Sequence, residues 1–281
     1  MIYCRMAPSL GALENTPENI WGTPPYNPEL HINEPCVFFG LYGLPDFYAL
    51  WRHKGKKYIL WAGSDITHFK NGYWLDETGD IRLKTQSLAR WINKNCEVYV
   101  ENQVEQKELQ TLGIASSIKP SFLGRVEDYE LSYTQSDKPK VYTSVSGDNF
   151  ELYKWHEIYA LSDKNPNIEF HLYGNEKRWL SRNNIVVHGR VPKEQMNEEI
   201  KQMQGALRLT EFDGASEIIV KAMLWGQYAF SFIEYPFVDK VENLNLLLSR
   251  KTANIKGREW WIKNLNHYPW NINIQNKLDK G

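Results

Sequence analysis

Residues 206–233 read ALRLTEFDGASEIIVKAMLWGQYAFSFI, and this stretch decides the fold. Short apolar runs over Ala206–Thr210 and Tyr228–Ile233 predict two strands, and the apolar repeat of Ala215–Trp225 predicts a helix between them. A strand, a helix and a second strand make a βαβ unit, whose strands are parallel and whose crossover is right-handed. The sequence therefore predicts an α/β fold built on a parallel sheet.

The same alternation extends through most of the chain. In the C-terminal half the pattern predicts strands over Lys140–Val145, Ile168–Tyr173 and Ile185–Gly189, with helices over Phe150–Asp163 and Pro192–Gln204. In the N-terminal half it predicts strands over Cys36–Gly40, Lys57–Ala62 and Cys96–Val100, with helices over Pro45–His53, Gln86–Lys94 and Asn102–Leu112. We expect two Rossmann-like, doubly wound domains that face a cleft, where ligands of open α/β sheets bind.

The length of 281 residues corresponds to about two domains. The polar stretch Ser132–Pro139 is the expected linker, so we predict one domain over residues 1–135 and a second over 136–253. Residues 254–281 form a tail that we expect to pack back on the body of the protein, because it contains four large rings, those of Trp260, Trp261, Tyr268 and Trp270.

Charge and cysteine content exclude several classes of protein. With 33 Lys and Arg against 34 Asp and Glu, the net charge of −1 provides no global field that attracts nucleic acid or an anionic membrane. Cys4, Cys36 and Cys96 lie in separate predicted strands, as core thiols do in a reducing compartment. No apolar run reaches the roughly 20 residues of a membrane span, and the first residues lack the layout of a signal peptide. We expect a cytoplasmic protein.

The loop Glu211–Glu217 is the strongest candidate for a binding site. Asp213 is placed to cap the following helix, and Gly214 and Ala215 leave the first amides uncovered. Uncovered amides at a helix N-terminus bind anions such as a diphosphate. An ordinary capped helix is the alternative.

The run Asp213-Gly214-Ala215-Ser216, followed by Lys221-Ala222-Met223-Leu224-Trp225-Gly226, resembles the signature of group 1 retaining glycosyltransferases with the two-domain GT-B fold. His188-Gly189-Arg190-Val191, which precedes a Pro-started helix, and the segment from Glu101-Asn102 to Gly113-Ile114 agree with it in order. The resemblance covers roughly residues 95–235.

The resemblance implies transfer of a sugar from a UDP- or GDP-linked donor, with the donor as co-substrate and with no cofactor. In this interpretation Asp213 contacts hydroxyls of the transferred sugar, and the amides of Gly214, Ala215 and Ser216 hold the diphosphate. Lys221 stands where the family has a second acid that binds the ribose diol. Two interpretations stay open: Glu217 takes over that contact, or Glu217 and Lys221 form a solvent-facing ion pair.

Other candidates are assigned by their position after a predicted strand. The loop after the first strand of the second domain lacks the Arg and Lys with which the family clamps the diphosphate. Ser146, Gly147, Lys154 and Arg190 are the expected replacements, and Gly11 is expected to let the donor approach the backbone. Asp65 is a candidate for an acceptor contact or a base, with a turn-capping role as the alternative, and Glu211 joins Asp213 and Asp65 as a candidate catalytic acid.

The predicted activity is metal-independent, because no His, Asp or Glu pair has metal-ligand spacing. The resemblance implies that the transfer retains the configuration of the sugar. The expected acceptor is a saccharide or a small molecule. A modified base in DNA stays open, since Arg52, His53, Lys54, Lys56 and Lys57 are candidates for a local basic patch. The alternatives are a nucleotide-sugar epimerase of the same fold and a non-catalytic nucleotide-sugar binding module.

Overall fold

The computed structural model describes residues 1–11, 13, 15–72, 81–145, 149–174 and 182–278. The strands in these ranges are β1 Tyr3–Met6, β2 Cys36–Phe39, β3 Lys57–Leu60, β4 Cys96–Val100, β5 Ser117–Ile118, β6 Lys140–Ser144, β7 Glu169–Tyr173, β8 Ile185–Gly189, β9 Gly205–Arg208, β10 Tyr228–Ser231 and β11 Asp239–Lys240. The α-helices are α1 Pro17–Trp21, α2 Leu44–Arg52, α3 Ser64–Lys70, α4 Ile81–Asn95, α5 Gln103–Thr111, α6 Trp155–Lys164, α7 Lys193–Ile200, α8 Glu217–Leu224, α9 Ile255–Asn264 and α10 Ile272–Leu278. Short 3-10 helices span Pro8–Leu10, Val126–Asp128 and Val241–Ser249.

The chain forms two compact units. Unit 1 consists of Met1–Arg125, Phe212–Ala215 and Asn264–Gly281, and unit 2 consists of Val126–Glu211 and Ser216–Lys263. The first division therefore falls ten residues before the position expected from the linker composition, 125 instead of 135. The C-terminal tail is shared, since α9 up to Lys263 lies in unit 2 and the segment from Asn264, the last residue of α9, lies in unit 1.

The sheet of unit 2 has six parallel strands in the order β11-β10-β9-β6-β7-β8. If the strands of unit 2 are renumbered 1 to 6 from β6 to β11, the order read from β8 is 3-2-1-4-5-6. This is the strand order of the Rossmann fold. The chain first moves from β6 towards β8 and then returns to add β9 on the other side of β6. The prediction of a doubly wound parallel sheet is confirmed here, and β6 and β9 flank its topological switch point.

Helix α8 is almost completely buried within unit 2. All residues from Ile218 to Leu224 are buried, including Lys221, which is 3% exposed. A helix that is apolar around most of its circumference has to be covered on every side. The sequence Ile-Ile-Val-Lys-Ala-Met-Leu therefore fixes α8 in the interior of its unit.

The sheet of unit 1 has five parallel strands in the chain order β1-β2-β3-β4-β5. One isolated parallel bridge joins Cys4 to Pro25 on the free side of β1, where the Cys4 amide donates to Pro24 O at 2.8 Å. The segment around Pro25 therefore pairs with β1 through a single bridge, like a very short additional strand. The chain first passes to this side of β1 and then returns to place β2 on the other side, so the direction in which strands are added to the sheet reverses. Right-handed crossovers then place α1 on one face of the sheet and α2 to α5 on the other.

Alternate residues of the central strands serve two separate cores. Cys36, Phe38 and Ile59 point into a core shared with α2 to α5. Their neighbours on the same strands, Val37, Phe39, Tyr58 and Leu60, point into a second core. That second core also contains Trp21 of α1 and the rings of Tyr268 and Trp270 from the C-terminal segment, all fully buried. The end of the chain therefore covers the face of the sheet on which α1 is the single described crossover helix.

The three cysteines are free, and burial raises the pKa of the Cys36 and Cys96 thiols to about 12. None of the helices in the described part of the chain is long and apolar enough to cross a membrane.

We expect Trp270→Ala to lower the free energy of unfolding by about 3–5 kcal/mol, because it leaves a large cavity against Trp21 and Tyr268. Urea denaturation followed by circular dichroism measures this loss. The matched control is Trp51→Ala in the same unit, where the ring is 49% exposed, and there we expect less than about 1 kcal/mol. Equal losses in the two variants would contradict the role given to the C-terminal segment.

Candidate functional site

The carboxyl ends of β6 and β9 carry the candidate site of unit 2, since ligands of doubly wound sheets bind at the switch point. The segment after β9 begins with Leu209 and Thr210, which are both buried. The Thr210 hydroxyl oxygen is buried and has no hydrogen-bond partner among the described residues. A buried polar group without a partner costs free energy of folding, and here this cost is located at the sheet edge.

A cation lies at the same edge. Lys154 precedes α6 with a left-handed backbone (φ 48°), and its ammonium group pairs with the Glu211 carboxylate that follows β9. The ammonium group also lies 5.3 Å from the centre of the Phe232 ring, which follows β10. Two predicted site residues, Lys154 and Glu211, are thus brought together from separate loops, and Phe232 is a neighbour that the sequence did not indicate.

Helix α8 begins later than the sequence pattern suggests. Its N-cap is Ser216, whose side chain makes no capping hydrogen bond, and its first residue is Glu217. The expected capping role of Asp213 is therefore wrong, because Asp213 lies three residues before the cap. The first amides of a helix have no partner within the helix. The positive end of the α8 dipole thus begins at Ser216 and Glu217.

Glu217 is the centre of a small ion cluster. Its Oε1 lies 2.8 Å from Lys221 Nζ and 2.9 Å from Lys193 Nζ, and Lys221 also donates to Asn197 Oδ1 at 2.8 Å. Burial alone raises the pKa of Glu217, but Lys221 and Lys193 outweigh it and the pKa is lowered. The pairing of Glu217 with Lys221 is present, but the pair is not solvent-facing, since Lys221 is buried. Lys193 and Asn197, both on α7, are partners that the sequence did not indicate.

The loop Phe212–Ala215 belongs to unit 1, and a buried carboxylate holds it there. The Ala215 amide donates to Glu101 Oε2 at 2.7 Å, and the Asn102 side-chain amide donates to the Asp213 carbonyl at 2.6 Å. The Gly214 amide donates to its neighbour, Asp213 Oδ1, at 3.0 Å. The expectation that the amides of Gly214 and Ala215 are uncovered is therefore wrong: carboxylates of the protein accept from both.

Glycine is required in this loop by close packing. A Cβ atom at Gly214 would overlap Glu101 Oε2, and one at Gly63, whose φ is +90°, would lie 2.9 Å from the Gly214 amide nitrogen. Two glycine backbones thus meet at van der Waals distance beside the Glu101 carboxylate. This packing fixes the position of the loop within unit 1.

Buried acids dominate the electrostatics of this part of unit 1. Burial raises the pKa of Glu101 to about 7, although its carboxylate accepts hydrogen bonds from Ser121 and Ala215. Glu105 is fully buried, accepts from the Glu101 amide at 2.6 Å, and has a pKa raised well above its ordinary value by burial and by Glu101. Burial therefore favours the protonated form of both carboxyl groups.

Asp65 is placed as a structural acid. It is fully buried, and its two oxygens accept from the amides of Leu41 at 2.9 Å and Ala62 at 3.0 Å. Burial raises its pKa to about 7. This is the turn-capping arrangement, and a carboxylate with no exposed surface does not provide the acceptor contact expected from the sequence.

The remaining candidates are scattered. Gly11 lies exposed after β1 with an ordinary φ of −64°, so its conformation does not demand glycine. Arg190 is exposed at the carboxyl end of β8. Ser146 and Gly147 lie outside the described residues. In the expected basic patch, His53 and Lys57 are buried, and Lys56 pairs with Glu97 at 2.7 Å, so these residues do not form a continuous cationic surface.

In the ranges that the structure describes, no group of three or more His, Cys, Asp or Glu side chains is arranged to hold a metal ion. The residues of the candidate site that sequence reasoning missed are Glu101 and Asn102 as loop anchors, Thr210, and Lys193. Thr210 and Lys193 stand beside predicted site elements in the sequence, whereas Glu101 and Asn102 are more than a hundred residues from the loop they hold.

We expect Glu101 and Asp65 to contribute a decrease in the unfolding free energy as the pH rises from about 4.5 to 7. Glu101 and Asp65 have folded-state pKa values above the ordinary one, so the stability they confer is complete below the ordinary pKa and is lost as the pH rises through about 7. Glu101→Gln should reduce this slope by up to about 1.4 kcal/mol per pH unit, the value for one proton. Urea denaturation at pH 5, 6, 7 and 8 measures it.

The control for the pH experiment is Glu29→Gln, which changes an exposed carboxylate of the same unit and should leave the slope unchanged. An unchanged slope in Glu101→Gln would contradict the electrostatics described for the loop anchor.

Neither family models nor curated proteins give a match to this sequence. Solved structures do. TarM is 14% identical with a TM-score of 0.52, over 89% of this chain and 55% of TarM, so the chain spans about half the length of that protein. HepE from Anabaena, solved with UDP and glucose, is 12% identical with a TM-score of 0.53, over 85% of this chain and 76% of HepE.

Sucrose-phosphate synthase from Thermosynechococcus elongatus is 10% identical with a TM-score of 0.58, over 87% of this chain and 73% of that protein. At such identities the similarity establishes the fold alone. The structural neighbours are GT-B glycosyltransferases with two Rossmann-like domains. With its two parallel α/β sheets and its likeness to these structures, the chain has the GT-B fold.

Proposed function

We propose that the protein transfers a sugar from a nucleoside-diphosphate sugar to an acceptor, without a metal ion and with retention of configuration. The observation that carries the proposal is the switch point of unit 2, where β9 leads towards the N-terminus of α8 and Lys154 supplies a cation. The fold that this chain shares with GT-B glycosyltransferases supports it. HepE, one structural neighbour, was solved with UDP and glucose.

The diphosphate is proposed to lie at the positive end of α8. The amides of Ser216 and Glu217 donate to its oxygens. The Lys154 ammonium group moves part of its contact from the Glu211 carboxylate to the phosphate oxygens. Donors that are fixed before the reaction stabilise the diphosphate as it leaves the sugar, without a reorganisation cost. Arg190, Ser146 and Gly147 stay proposals for further diphosphate contacts, and Gly11 stays one for donor approach.

Asp213 is proposed to contact hydroxyls of the transferred sugar. Its carbonyl is held by Asn102, and the neighbouring Ala215 amide is held by Glu101, so the backbone on both sides of the carboxylate is fixed. Glu211, which is largely exposed, is proposed to pair with Lys154 in the free protein and to give up this ion pair when the diphosphate binds. Asp65 takes no part in the proposed chemistry because it is buried as a turn cap.

Glu217 is proposed to accept from the ribose diol in place of the acid that the family has at position 221. Lys193 and Lys221 both contact its Oε1, so the carboxylate is held in one orientation and stays ionised. A carboxylate can accept from two neighbouring hydroxyls, which an ammonium group cannot do. The replacement of an acid by Lys221 thus positions Glu217 and does not abolish the contact.

The proposed acceptor is a saccharide or a small molecule. A modified base in DNA is the less favoured alternative, because two of the five residues of the expected basic patch, His53 and Lys57, are buried. Incubation with radiolabelled UDP- or GDP-sugar and a mixture of oligosaccharides and hydroxymethylated DNA separates the two. Label in the DNA would overturn the preferred acceptor.

A second candidate is a non-catalytic nucleotide-sugar binding module. It is favoured by Glu101, whose carboxylate takes the Ala215 amide that the resemblance assigns to the diphosphate. A nucleotide-sugar epimerase of the same fold is the third candidate. Slow release of free sugar from a bound donor supports the transferase, conversion of the donor into its epimer supports the epimerase, and binding without either reaction supports the module.

UDP or GDP at 100 times its dissociation constant should stabilise the protein by about 2.7 kcal/mol, and EDTA should leave this effect unchanged. Lys154→Ala should weaken binding about tenfold, the loss expected for one charge-assisted contact. Thermal shift and isothermal titration calorimetry measure both effects. Lys164→Ala, at the other end of α6, is the matched control and should bind as the wild type does. Absence of stabilisation by any nucleotide at millimolar concentration would contradict the donor site.

Asp213→Asn should lower turnover at least tenfold while nucleotide affinity changes less than about twofold, because the charge acts on the sugar and not on the diphosphate. Steady-state kinetics and calorimetry on the same preparation separate the two quantities. Wild-type turnover in this variant would remove Asp213 from the proposed sugar contact.

A further inference from the structure

Five side chains of unit 2 form a continuous chain of three hydrogen bonds and one ionic contact, between His188 and Glu199, that the proposed reaction does not use. Glu169 Oε1 lies 2.8 Å from His171 Nε2, and His171 Nδ1 lies 2.7 Å from His188 Nε2. His188 Nδ1 lies 3.2 Å from Glu199 Oε2, which also accepts from the Tyr173 hydroxyl at 2.6 Å. The chain joins β7 and β8 to helix α7.

Counting protons shows that this chain is incomplete when both imidazoles are neutral. Each of the three contacts made by the imidazoles needs one hydrogen, because two lone pairs, or a lone pair and a carboxylate, repel each other. Two neutral imidazoles carry two N–H groups in total. We assign these protons to the two shortest contacts, Glu169 to His171 and His171 to His188, which leaves His188 Nδ1 without a proton opposite Glu199.

Among the residues that the structure describes, charged and polar side chains of several segments face the pair. Lys138 Nζ lies 3.3 Å and Lys140 Nζ 3.7 Å from the Glu169 carboxylate, and Glu198 and Gln195 of α7 line a cavity of about 500 Å³ that the two imidazoles share. Burial lowers the pKa of His171 and of His188 below the ordinary 6.5. The Tyr173 hydroxyl lowers the pKa of Glu199, and His171 with Lys138 lowers that of Glu169 against the effect of burial, so both carboxyl groups stay ionised.

Helix α7 connects this chain to the proposed donor helix. Its Lys193 lies 2.9 Å from Glu217, and its Asn197 accepts from Lys221 at 2.8 Å, so the side of α7 that carries these residues is tied to α8. Its last turn is tied to the sheet by Glu199. A change in the contact at Glu199 is therefore transmitted along an eight-residue helix to the residues that orient Glu217.

We propose that His171 and His188 act as a proton-binding pair, in which one shared proton completes the chain from Glu169 to Glu199, ties α7 to β8, and so positions α8 for the donor. The proton comes from solvent and is taken up at His188 Nδ1, which turns the contact with Glu199 into a charge-assisted hydrogen bond. One positive charge is then distributed over two imidazoles between two carboxylates. His188 and Glu199 are positioning residues, and the part of the inference that concerns the donor rests on the proposed function.

The pair itself is tested by nuclear magnetic resonance of the imidazole nitrogens in the whole protein between pH 5 and 8. We expect the signals of His171 and His188 to shift with one common midpoint below 6.5 and with uptake of one proton in total. Signals are assigned with His171→Gln and His188→Gln. Two independent midpoints with full protonation of both rings, or no titration of either ring, would overturn the proposal.

Glu199→Gln keeps acceptors for Tyr173 and His188 but removes the charge, so it should move the common midpoint to lower pH by about one unit, the size of a nearby-charge effect. Glu198→Gln is the matched control, since it changes a neighbouring acid that lines the same cavity outside the chain. An unchanged midpoint in Glu199→Gln would contradict the completed chain.

The coupling to the donor helix is tested with UDP by calorimetry at pH 5.5 and 7.5. The ratio of the association constant at pH 5.5 to that at pH 7.5 should be about threefold higher in the wild type than in His188→Gln. The titration of UDP itself affects both proteins equally and cancels in this comparison. Equal ratios would overturn the coupling. If UDP binds at neither pH, the proposed function fails, while the imidazole spectra still decide whether the proton is shared.

Discussion

The right-handed crossover of parallel strands is the constraint on which the rest of this structure depends. In unit 2 it forces the chain to place helices on both faces of the sheet, and the reversal at β6 and β9 opens the edge where Thr210, Lys154 and the start of α8 lie. In unit 1 the same rule sends α2 to α5 to one face, because β1 to β5 follow each other across the sheet. On the opposite face, the rings of Tyr268 and Trp270 pack beside α1 and bury the apolar side chains of the strands, which α1 alone does not cover.

A second dependence concerns the loop that precedes α8. An anion site at a helix N-terminus requires backbone amides that are held in place but are not consumed by the protein. Here the Ala215 amide is consumed by Glu101, and the helix starts at Glu217. The available amides are thus shifted towards Ser216 and Glu217, and the loop before them is fixed on the buried Glu101, whose pKa is raised to about 7. Asp213 and Ala215 are thus held by the protein, whereas the amides that can bind an anion belong to the next residues, Ser216 and Glu217.

Local pattern was enough to predict most of the fold. Strands such as β8 and β4 have the predicted bounds, because short apolar runs between turn residues depend little on distant contacts. The start of α8 was missed because Glu101 and Asn102, which hold Asp213 and Ala215, are more than a hundred residues away. Asp65 was assigned to chemistry because a sequence does not show whether a carboxylate meets ligands or the amides of Leu41 and Ala62. The ion cluster of Glu217 was half predicted, since Lys221 is one turn away but Lys193 comes from another helix.

Amide hydrogen exchange with and without UDP-glucose measures whether a nucleoside diphosphate binds at the switch point of unit 2. We expect slower exchange in two segments of unit 2, the start of α8 from Ser216 to Ile219 and the residues before α6 around Lys154. We expect no change at the amino ends of β6 and β7, at Lys140 and Glu169. Protection confined to those amino ends, or no protection at saturating ligand, would show that the diphosphate does not bind at the switch point.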